Sequence, residues 1–385
     1  MRVAMVSFET VHQRDASPQR RVDRIARALV ERGHDVHVFC SQWWDKRIGT
    51  FESEEITYHG VVRSTDSKRS FLLTLPFAIN GCDPDVVHAA ATYPPAVASA
   101  SFGATLARTP LLCDWYDPAV GDGFLSRRAL SAPDRIAVPS RLVRTRLREN
   151  GADADRTQVV PNSVDFDLIR ETEPADERHI VYARDLDEGA NLESLLLALA
   201  ELREFDWSAT VIGDGPRRAE YERQVRDLRI DDRITFAGAL SREERVSIYR
   251  SAHVFVQTAH QCRFPTEMLW GLACGCVGIV EYHVDSSAHE LVEGRERGFR
   301  TTSESELADA IREAGEMDSK TVDEEFAGFD RGAVLEQYLD LYRELLKAVR
   351  RPLTVVRSVC GETSKSVAYC FEECRGSLRE FRSEP

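Results

Sequence analysis

Short apolar runs alternate with amphipathic stretches along the first part of the chain. The apolar run "RVAMVSF" at residues 2–8 is followed by "RRVDRIARALVERGH" and then by a second apolar run, "DVHVFC". Apolar residues recur at helical spacing from Val22 to Leu29, and Gly33 offers the positive φ that commonly closes a last helical turn. The order strand, helix, strand predicts a βαβ unit with parallel strands.

The alternation then continues until a polar, acidic stretch interrupts it. The apolar runs "PDVVHAA", "TPLLCDWYD" and "DRIAVPS" predict further strands, with helices over 95–107 and 140–150. The stretch "RETEPADERH" has no apolar periodicity, so we place a linker at 169–178.

The second half repeats the same order of elements from "IVYARDL" to "HVFVQTA". The pattern predicts an α/β protein with two Rossmann-like doubly wound domains, one at 1–168 and one at 179–332. The stretch "RGAVLEQYLDLYRELLKAV" predicts an amphipathic helix at 333–350 that returns across the domain junction. For the tail at 351–385, an accessory helix and a frayed end both stay open.

Charge composition argues against a nucleic-acid partner. The chain has 50 Lys+Arg against 64 Asp+Glu, a net charge of −14, whereas nucleic-acid binding needs a cationic field. Nearly all the cations are arginine. This composition is typical of a halophilic, haloarchaeal-like protein kept soluble by hydrated carboxylates; a GC-rich genome is the alternative explanation for the shortage of lysine.

The nine cysteines do not form a zinc pattern. The closest pairs are Cys274 with Cys276 and Cys370 with Cys374, and neither has a partner pair at the required spacing. Free thiols in a reducing compartment are therefore expected, without a metal. The N-terminal residues lack the pattern of a signal peptide, and no apolar run reaches the length of a membrane helix. We expect a cytoplasmic protein, with peripheral contact to the inner membrane face as an open alternative.

The stretch "VIGDGP" places Gly213 and Gly215 between a predicted strand and a predicted helix. Such glycines allow a ligand to approach the backbone closely, and the following helix N-terminus offers N–H groups to an anion. A tight turn that needs glycine for steric reasons would look the same. The sequence has neither the GxGxxG of a dehydrogenase nor the GxxxxGK[ST] of a P-loop enzyme.

The order of several blocks resembles the family 4 glycosyltransferases (group 1) of GT-B fold. In the second half the blocks are "ARDLDEGANLESLLLAL", "VIGDGPRRAEYERQVRDLRIDDRITFAGALSREERVSIYRSAHVFV", "GLACGCVGIV" and "SSAHELV". In the first half they are "MRVAMVSF", "RIARALVERGHDVHVF", "PDVVHA" and "DRIAVPSRLVRTRLRENGADADRTQVVPNSVD". The resemblance implies an acceptor-binding first domain, a nucleotide-sugar-binding second domain, retention of anomeric configuration, and no metal or other cofactor.

The resemblance also implies a diphosphate site in which one family cation is missing. The family places an Arg and a Lys five residues apart after the first strand of the second domain. Arg184 occupies the first place, but Gly189 occupies the second. Arg217 and Arg218 are candidate substitutes, with helix-surface arginines as the alternative interpretation.

Two carboxylates of the family's donor site are also absent. The family has a Glu at each end of the segment that begins the helix of "CRFPTEMLWGLACGC", and here Cys262 and Trp270 stand in those places. Glu267, one helical turn before Trp270, is our candidate for the donor hydroxyl groups. Its alternative role is a first-turn acid that stabilises the helix dipole, with Thr266 as the cap.

Further positions carry over from the family by resemblance. We predict catalytic roles for Arg184, Glu267 and Asp117 and acceptor-side positions for His88 and Tyr116. A hydrogen-bonded core histidine is the alternative for His88. The predicted donor-binding residues are Asn162, Gly213, Gly215, Ala239, Leu240, Thr266, Ser286, Ser287 and Glu290.

The resemblance therefore predicts a glycosyltransferase that uses a nucleotide sugar and a glycan, lipid-linked or glycoprotein-precursor acceptor. The arginine-rich segment from Arg127 to Arg148 either contacts anionic lipid or a lipid-phosphate acceptor, or is a solvated helix. Two other functions stay open because family charges are missing. One is a non-catalytic GT-B subunit that binds a sugar nucleotide or a partner enzyme, and the other is a sugar-nucleotide epimerase of the same shape.

Overall fold

The chain forms two parallel sheets, each covered by helices, in a computed structural model that describes residues 1–45, 49–121, 123–176 and 178–350. The prediction for the tail at 351–385 lies outside the described residues. Among the described helices, none combines the length and the apolar character that crossing a membrane requires.

The first half builds an eight-stranded sheet. Its strands are β1 (Arg2–Val6), β2 (Asp35–Ser41), β3 (Thr50–Ser53), β4 (Ile56–Val62), β5 (Val86–Ala90), β6 (Leu111–Asp114), β7 (Arg135–Val138) and β8 (Thr157–Val159). Its helices are α1 (Ser17–Glu31), α2 (Lys68–Cys82), α3 (Pro94–Ala107), α4 (Phe124–Ser131) and α5 (Arg141–Glu149). The strand order is β3-β4-β2-β1-β5-β6-β7-β8, and only the β3–β4 pair is antiparallel.

Both faces of this sheet are buried, which explains why its strands are continuous apolar runs. In β1, Val3 and Met5 face the core that α1 covers, whereas Ala4 and Val6 face the core under α2, α3, α4 and α5. Val3 lies at the sheet centre, where it pairs with Val36 of β2 on one side and Val86 of β5 on the other.

The second half builds a six-stranded parallel sheet in the order β11-β10-β9-β12-β14-β16. The strands of this half are β9 (Arg178–Ala183), β10 (Ala209–Ile212), β11 (Ile234–Gly238), β12 (Ala252–Gln257), β13 (Gln261–Cys262), β14 (Val277–Glu281), β15 (Asp285–Ser286) and β16 (Gly298–Thr301). The helices are α6 (Phe166–Glu171), α7 (Leu192–Glu201), α8 (Arg218–Asp227), α9 (Arg242–Ser251), α10 (Thr266–Ala273), α11 (Glu304–Gly315) and α12 (Arg331–Arg350), with 3-10 helices at Ala288–Leu291 and Glu324–Phe329. The short strands β13 and β15 pair with each other.

Helix α12 follows the second half but packs against the first sheet, as the apolar stripe in its sequence predicts. Its apolar residues join the core that also contains α1 and the inner face of β1, among them Leu335, Tyr338 and Tyr342. The chain thus crosses between the halves twice, once before α6 and once before α12.

A buried arginine connects α1, β6, the crossing segment and α12. The Arg21 Nε donates to both carboxylate oxygens of Asp114, at 3.0 and 3.1 Å, and both side chains are 3% exposed. Its other nitrogens donate to Asn162 Oδ1 at 2.7 Å, to the Val160 carbonyl at 2.7 Å and to the Tyr338 hydroxyl. The Tyr338 hydroxyl in turn donates to Asp114. Since the charges have no access to water, these contacts replace their hydration.

We expect removal of either charge alone to destabilise the protein more than removal of both. Arg21→Met and Asp114→Leu should each lower the free energy of unfolding by about 3–5 kcal/mol, because each leaves the other charge buried and unpaired. The double variant should cost less than either single variant. Denaturant titration of the three variants measures this double-mutant cycle; additive losses would contradict the assigned coupling.

Candidate functional site

A cleft of about 570 Å³ lies between α1 and the carboxyl ends of the strands in the second sheet. From the first half it is lined by Asp15, Ser17, Arg20, Arg24 and Tyr116, and from the crossing segment by Asn162. The wall from the second half contains Ala183, Arg184, Asp185, Asp187, Ile212, Gly213, Asp214, Ala239, Leu240, Arg242, Arg245, Gln257, Gln261, Cys262, Arg263, Phe264, Pro265, Thr266 and Glu267. The carboxyl edge of a parallel sheet is where α/β proteins bind ligands.

Arg184 extends from the end of β9 into the cleft. Its Nη1 donates to the Gln261 carbonyl at 3.0 Å, and its Nη2 lies 3.7 Å from Asp187 Oδ1. The side chain is 20% exposed, so the guanidinium is held in place while part of it faces the cleft. A Cβ built on Gly189 would lie 3.4 Å from Arg184 Nη2. The two positions that the family resemblance pairs are therefore adjacent, and only one carries a charge.

The glycine turn after β10 is packed directly against the Arg184 loop. A Cβ on Gly213, whose φ is +129°, would lie 2.0 Å from the Arg184 carbonyl oxygen, and one on Gly215 would lie 2.4 Å from that of Leu186. The two glycines are thus required by contact between protein backbones. Gly213 also lines the cleft, so both interpretations apply to it: it avoids a clash within the protein and it allows a ligand to approach the backbone. Gly215 does not line the cleft, so only the steric interpretation applies there.

Glu267 organises two arginines on the cleft wall. Its Oε2 accepts from Arg242 Nη1 at 3.0 Å and from the Tyr249 hydroxyl at 2.8 Å, and its Oε1 lies 3.0 Å from Arg245 Nη1. Burial alone would raise the pKa of Glu267, but Arg242 and Arg245 outweigh it, and the pKa lies below its ordinary value. The carboxylate is therefore ionised at neutral pH and fixes both guanidinium groups.

The two positions that replace the family's acids are apolar or weakly polar. The Arg242 guanidinium carbon lies 4.7 Å from the Trp270 ring centroid, so the tryptophan supports the same arginine that Glu267 binds. Burial raises the pKa of the Cys262 thiol to about 11. This thiol is protonated at neutral pH, which disfavours a nucleophilic role.

Asn162 and Thr266 join the two halves at the base of the cleft. The Asn162 amide nitrogen donates to Thr266 Oγ1 at 2.8 Å, while its oxygen accepts from Arg21. Thr266 is the first residue of α10, and Pro265 occupies the N-cap position, so the alternative in which Thr266 caps the helix is wrong.

Arg24 lines the cleft as a cation that has no counter-ion among the described residues. Unlike the other arginines of this wall, it has no hydrogen bond or ion pair with any described residue. Burial, together with the neighbouring Arg21 and Arg242, lowers the pKa of Arg24 to about 10, although Tyr116 and Glu267 oppose the shift. Because burial and like charges both disfavour this cation, an anion in the cleft would find a strong partner here.

Comparisons with known proteins agree with this architecture. The family description "Glycosyltransferase Family 4" matches residues 18–168, and "Glycosyl transferases group 1" matches residues 165–324, so the two together span most of the chain. The chain belongs to these glycosyltransferase families.

Structures of similar proteins show the GT-B fold. A glycosyltransferase from Rickettsia africae superposes with a TM-score of 0.73 at 16% identity, over 90% of this chain and 98% of the other. Sucrose-phosphate synthase from Thermosynechococcus elongatus gives 0.70 at 18% identity, over 90% and 99%. The Anabaena protein HepE, solved with UDP-glucose, gives 0.68 at 17% identity, over 89% and 100%.

A curated relative matches part of the chain. It is an alpha-monoglucosyldiacylglycerol synthase from Streptococcus pneumoniae, 24% identical over 208 residues, which are 50% of this chain. The match spans 46% of that relative's length.

The structure places the predicted site residues of this GT-B chain in three groups: in the cleft, in an adjacent groove, and away from both. The cleft is lined by eight of them, Arg184, Glu267, Tyr116, Asn162, Gly213, Ala239, Leu240 and Thr266. Asp117 lies in an adjacent groove of about 300 Å³ that shares Gln261 and Arg263 with the cleft wall. It is half-exposed, and its Oδ1 lies 3.7 Å from Arg263 Nε.

His88 does not reach the cleft, so its predicted acceptor-side position is wrong. It is 1% exposed, and its Nδ1 lies 2.6 Å from the Tyr342 hydroxyl, inside the core between the first sheet and α12. Burial lowers the pKa of His88 to about 4, which keeps the ring neutral. The alternative interpretation, a hydrogen-bonded core histidine, describes its position.

The predicted donor contacts at Ser286, Ser287 and Glu290 are also absent from the cleft. Both serines are 1% exposed, and Ser287 Oγ donates to the Arg263 carbonyl at 2.9 Å, which supports the cleft wall from behind. The Glu290 carboxylate accepts from two backbone N–H groups in the first turn of α5, Arg141 and Leu142, both at 2.8 Å. It thereby joins the two halves at a helix N-terminus, where a negative charge is favourable.

Arg217 and Arg218 do not line the cleft either. Arg217 pairs with Glu220 at 2.6 Å, and Arg218 pairs with Glu222 at 2.9 Å. They are helix-surface arginines, as the alternative interpretation has it.

The cleft contains five arginines that sequence reasoning missed as site residues, Arg20, Arg24, Arg242, Arg245 and Arg263. Arg20 and Arg24 are one turn apart on α1, and Arg242 and Arg245 are one turn apart at the start of α9. Cation pairs with helical spacing in the N-terminal half of a helix are the signal that could have identified the pairs on α1 and α9, because that half faces the ligand edge of such sheets.

We expect Gly213→Ala to displace the Arg184 loop. It should weaken binding of a nucleoside diphosphate at least about tenfold and lower the unfolding temperature, since the new Cβ overlaps a backbone carbonyl. Gly294→Ala is the matched control, because Gly294 also has a positive φ of +72° but no atom within 4 Å of a built Cβ. Calorimetric titration and thermal unfolding separate the two effects; equal behaviour of both variants would contradict the role of the close approach.

Proposed function

We propose that this protein transfers a sugar from a nucleotide-sugar donor to an acceptor, with the donor diphosphate in the cationic cleft. The single observation that carries the proposal is the cleft lined by Arg24 from the first half, which has no counter-ion among the described residues, and by Arg184 and Arg242 from the second half. Departure of a nucleoside diphosphate from the anomeric carbon transfers an electron pair onto a phosphate oxygen. Fixed guanidinium groups stabilise that developing charge without reorganisation.

In this proposal Arg24 supplies the second cation, which the family has as a lysine at the position of Gly189. The family's two cations belong to the second half, whereas here one would come from α1 of the first half. Arg184 is held by the Gln261 carbonyl, and Arg242 by Glu267 and Trp270, so both are fixed before the donor binds. A diphosphate would then bridge the two halves and favour their closed arrangement.

The proposed reaction retains anomeric configuration and needs no metal ion. The arginines are proposed to supply the charge stabilisation that a metal ion would otherwise provide. Full activity in the presence of EDTA, with the anomer of the product assigned by NMR, tests both points.

The acceptor is proposed to enter through the groove that contains Asp117. This groove adjoins the cleft through Gln261 and Arg263 and presents a half-exposed carboxylate near the reacting edge. A glycan or lipid-phosphate-linked acceptor fits the family. The relative named as an alpha-monoglucosyldiacylglycerol synthase supports the lipid-linked class.

A non-catalytic subunit that binds a sugar nucleotide is the second candidate. It is favoured by the absence of acids at Cys262 and Trp270 and by the ion pairs of Glu267 with Arg242 and Arg245. In that case the cleft would bind a nucleoside diphosphate but would not turn over a donor.

The deciding experiment incubates the full chain with a panel of nucleotide sugars and with glycan and lipid-phosphate acceptors, at low and at high salt. We expect one donor to release its nucleoside diphosphate in proportion to the glycosylated product. Binding without turnover under all conditions would support the silent subunit, and isomerisation of the free donor would support an epimerase. Absence of binding for every donor would contradict the proposal.

We expect Arg24→Gln to lower kcat/KM by about 100-fold, because the transition state loses a charge-assisted contact worth about 2–3 kcal/mol. Arg27→Gln is the matched control on the same helix. Arg27 pairs with Asp23 at 2.7 Å and does not line the cleft. Steady-state kinetics with the active donor measures the difference.

Equal rates for the two variants would remove Arg24 from the proposed site. Glu267→Gln provides an independent check, because it releases Arg242 and Arg245 together. It should lower kcat at least about tenfold, since the fixed orientation of both guanidinium groups contributes to charge stabilisation. Full activity of this variant would show that Glu267 has no part in the reaction.

A further inference from the structure

The outer surface of helices α2, α3 and α4 exposes large apolar side chains to solvent. Two lie on each helix, and five of the six are at least 44% exposed. They are Leu73 (74%), Phe77 (67%), Phe102 (55%), Leu106 (41%), Phe124 (76%) and Leu125 (44%). Soluble surfaces seldom concentrate apolar residues in this way unless they contact a partner or a membrane.

The three helices form one layer on the same face of the first sheet. Each contributes buried residues to a single core, such as Phe71 from α2, Val97 from α3 and Leu130 from α4. A Cβ on Gly103 of α3 would lie 3.0 Å from Pro76 Cα of α2, so these two helices touch at the turns that carry Phe77 and Phe102. The side chains that point away from the core therefore belong to one outer surface.

This surface differs from the rest of the chain in charge. Asp and Glu make up 64 of the 385 residues, yet none occurs in α2, α3 or α4, which are 15, 14 and 8 residues long. The same helices carry four cations, Lys68, Arg69, Arg127 and Arg128. Lys68 Nζ lies 5.5 Å from the Tyr93 ring centroid, and Arg128 Nη1 donates to Ser131 Oγ at 3.4 Å; among the described residues, none of the four cations forms an ion pair with an acid.

We propose that the outer surface of α2, α3 and α4 docks on a membrane that contains anionic lipids. Apolar side chains flanked by unpaired cations match the boundary between acyl chains and anionic headgroups. A second copy of the chain fits less well, because a symmetric contact would bring the cations of both copies together. The inference goes beyond the proposed function and does not depend on which sugar the protein transfers.

The binding energy would come from insertion of the phenylalanines and from attraction of the cations to headgroups. Each cation near an anionic surface contributes a factor of about five in affinity, and each inserted phenylalanine a factor of about ten or more. High salt screens the attraction between the cations and the headgroups and leaves the insertion of the phenylalanines unchanged.

Vesicle flotation with the full chain tests the proposal. We expect the protein to float with vesicles of equal parts phosphatidylglycerol and phosphatidylcholine, and to bind phosphatidylcholine vesicles at least about tenfold more weakly at low salt. Phe77→Ser combined with Phe124→Ser should reduce binding at least about tenfold on both vesicle types. Arg69→Gln combined with Arg127→Gln should reduce binding only on the anionic vesicles.

The matched control is Phe205→Ser combined with Val284→Ser, because these residues are also exposed, at 49% and 66%, but lie in the second half. It should bind vesicles like the parent chain, and circular dichroism should show that all variants fold. Three results would overturn the proposal: no flotation of the parent chain, equal loss in the control variant, or a dimer in sedimentation that Phe77→Ser dissociates. None of these readouts requires enzymatic activity, so failure of this inference is distinct from failure of the proposed function.

Discussion

The buried contact between Arg21 and Asp114 is the interaction on which the arrangement of this protein depends. It joins α1 to β6, and the remaining nitrogens of Arg21 reach the crossing segment and α12. Asn162 extends the connection to Thr266 at the start of α10. One guanidinium thereby fixes α1 relative to both halves, which positions the next turn of α1, and with it Arg24, at the cleft.

The protein holds the cations of the cleft in fixed positions before a ligand binds. Glu267 and Trp270 hold Arg242, and the Gln261 carbonyl holds Arg184, while the loop that carries Arg184 is packed against Gly213. The acids at the cleft serve mainly to fix arginines. A charge without a counter-ion is stable only where solvent or a ligand compensates it, so the half-buried Arg24, which has no partner among the described residues, is the strongest indication of an anionic ligand.

Much of this fold could be predicted from the pattern of apolar residues. The alternation of strands and helices, the helices near 95–107 and 140–150 and the return of the last helix appear in the structure as α3, α5 and α12. The segment that contains β3, β4 and α2 was not predicted, since α2 has Pro76 in its interior and no clear amphipathic pattern. Its exposed phenylalanine and leucine residues obscure the usual distinction between a buried and a solvated face.

The candidate site was only partly predictable, for physical reasons that individual residues show. Gly213 could be identified from its place after a predicted strand, and Arg184 from the resemblance to the family, because both positions follow from chain order. His88 lies on a strand with both faces buried, so the sequence does not say which face it occupies. Glu290 contacts the backbone of a helix that is far away in the sequence, and Arg24 resembles any helix-surface arginine until α1 is placed beside the second sheet.

The central claim is that the diphosphate of a nucleotide sugar binds between Arg24 and Arg184. A crystal structure of the full chain with a bound nucleoside diphosphate tests it most directly. The account predicts phosphate oxygens within hydrogen-bonding distance of both guanidinium groups, with the two halves in contact through Asn162 and Thr266. A diphosphate bound elsewhere, or bound to Arg184 while Arg24 contacts only solvent, would contradict it.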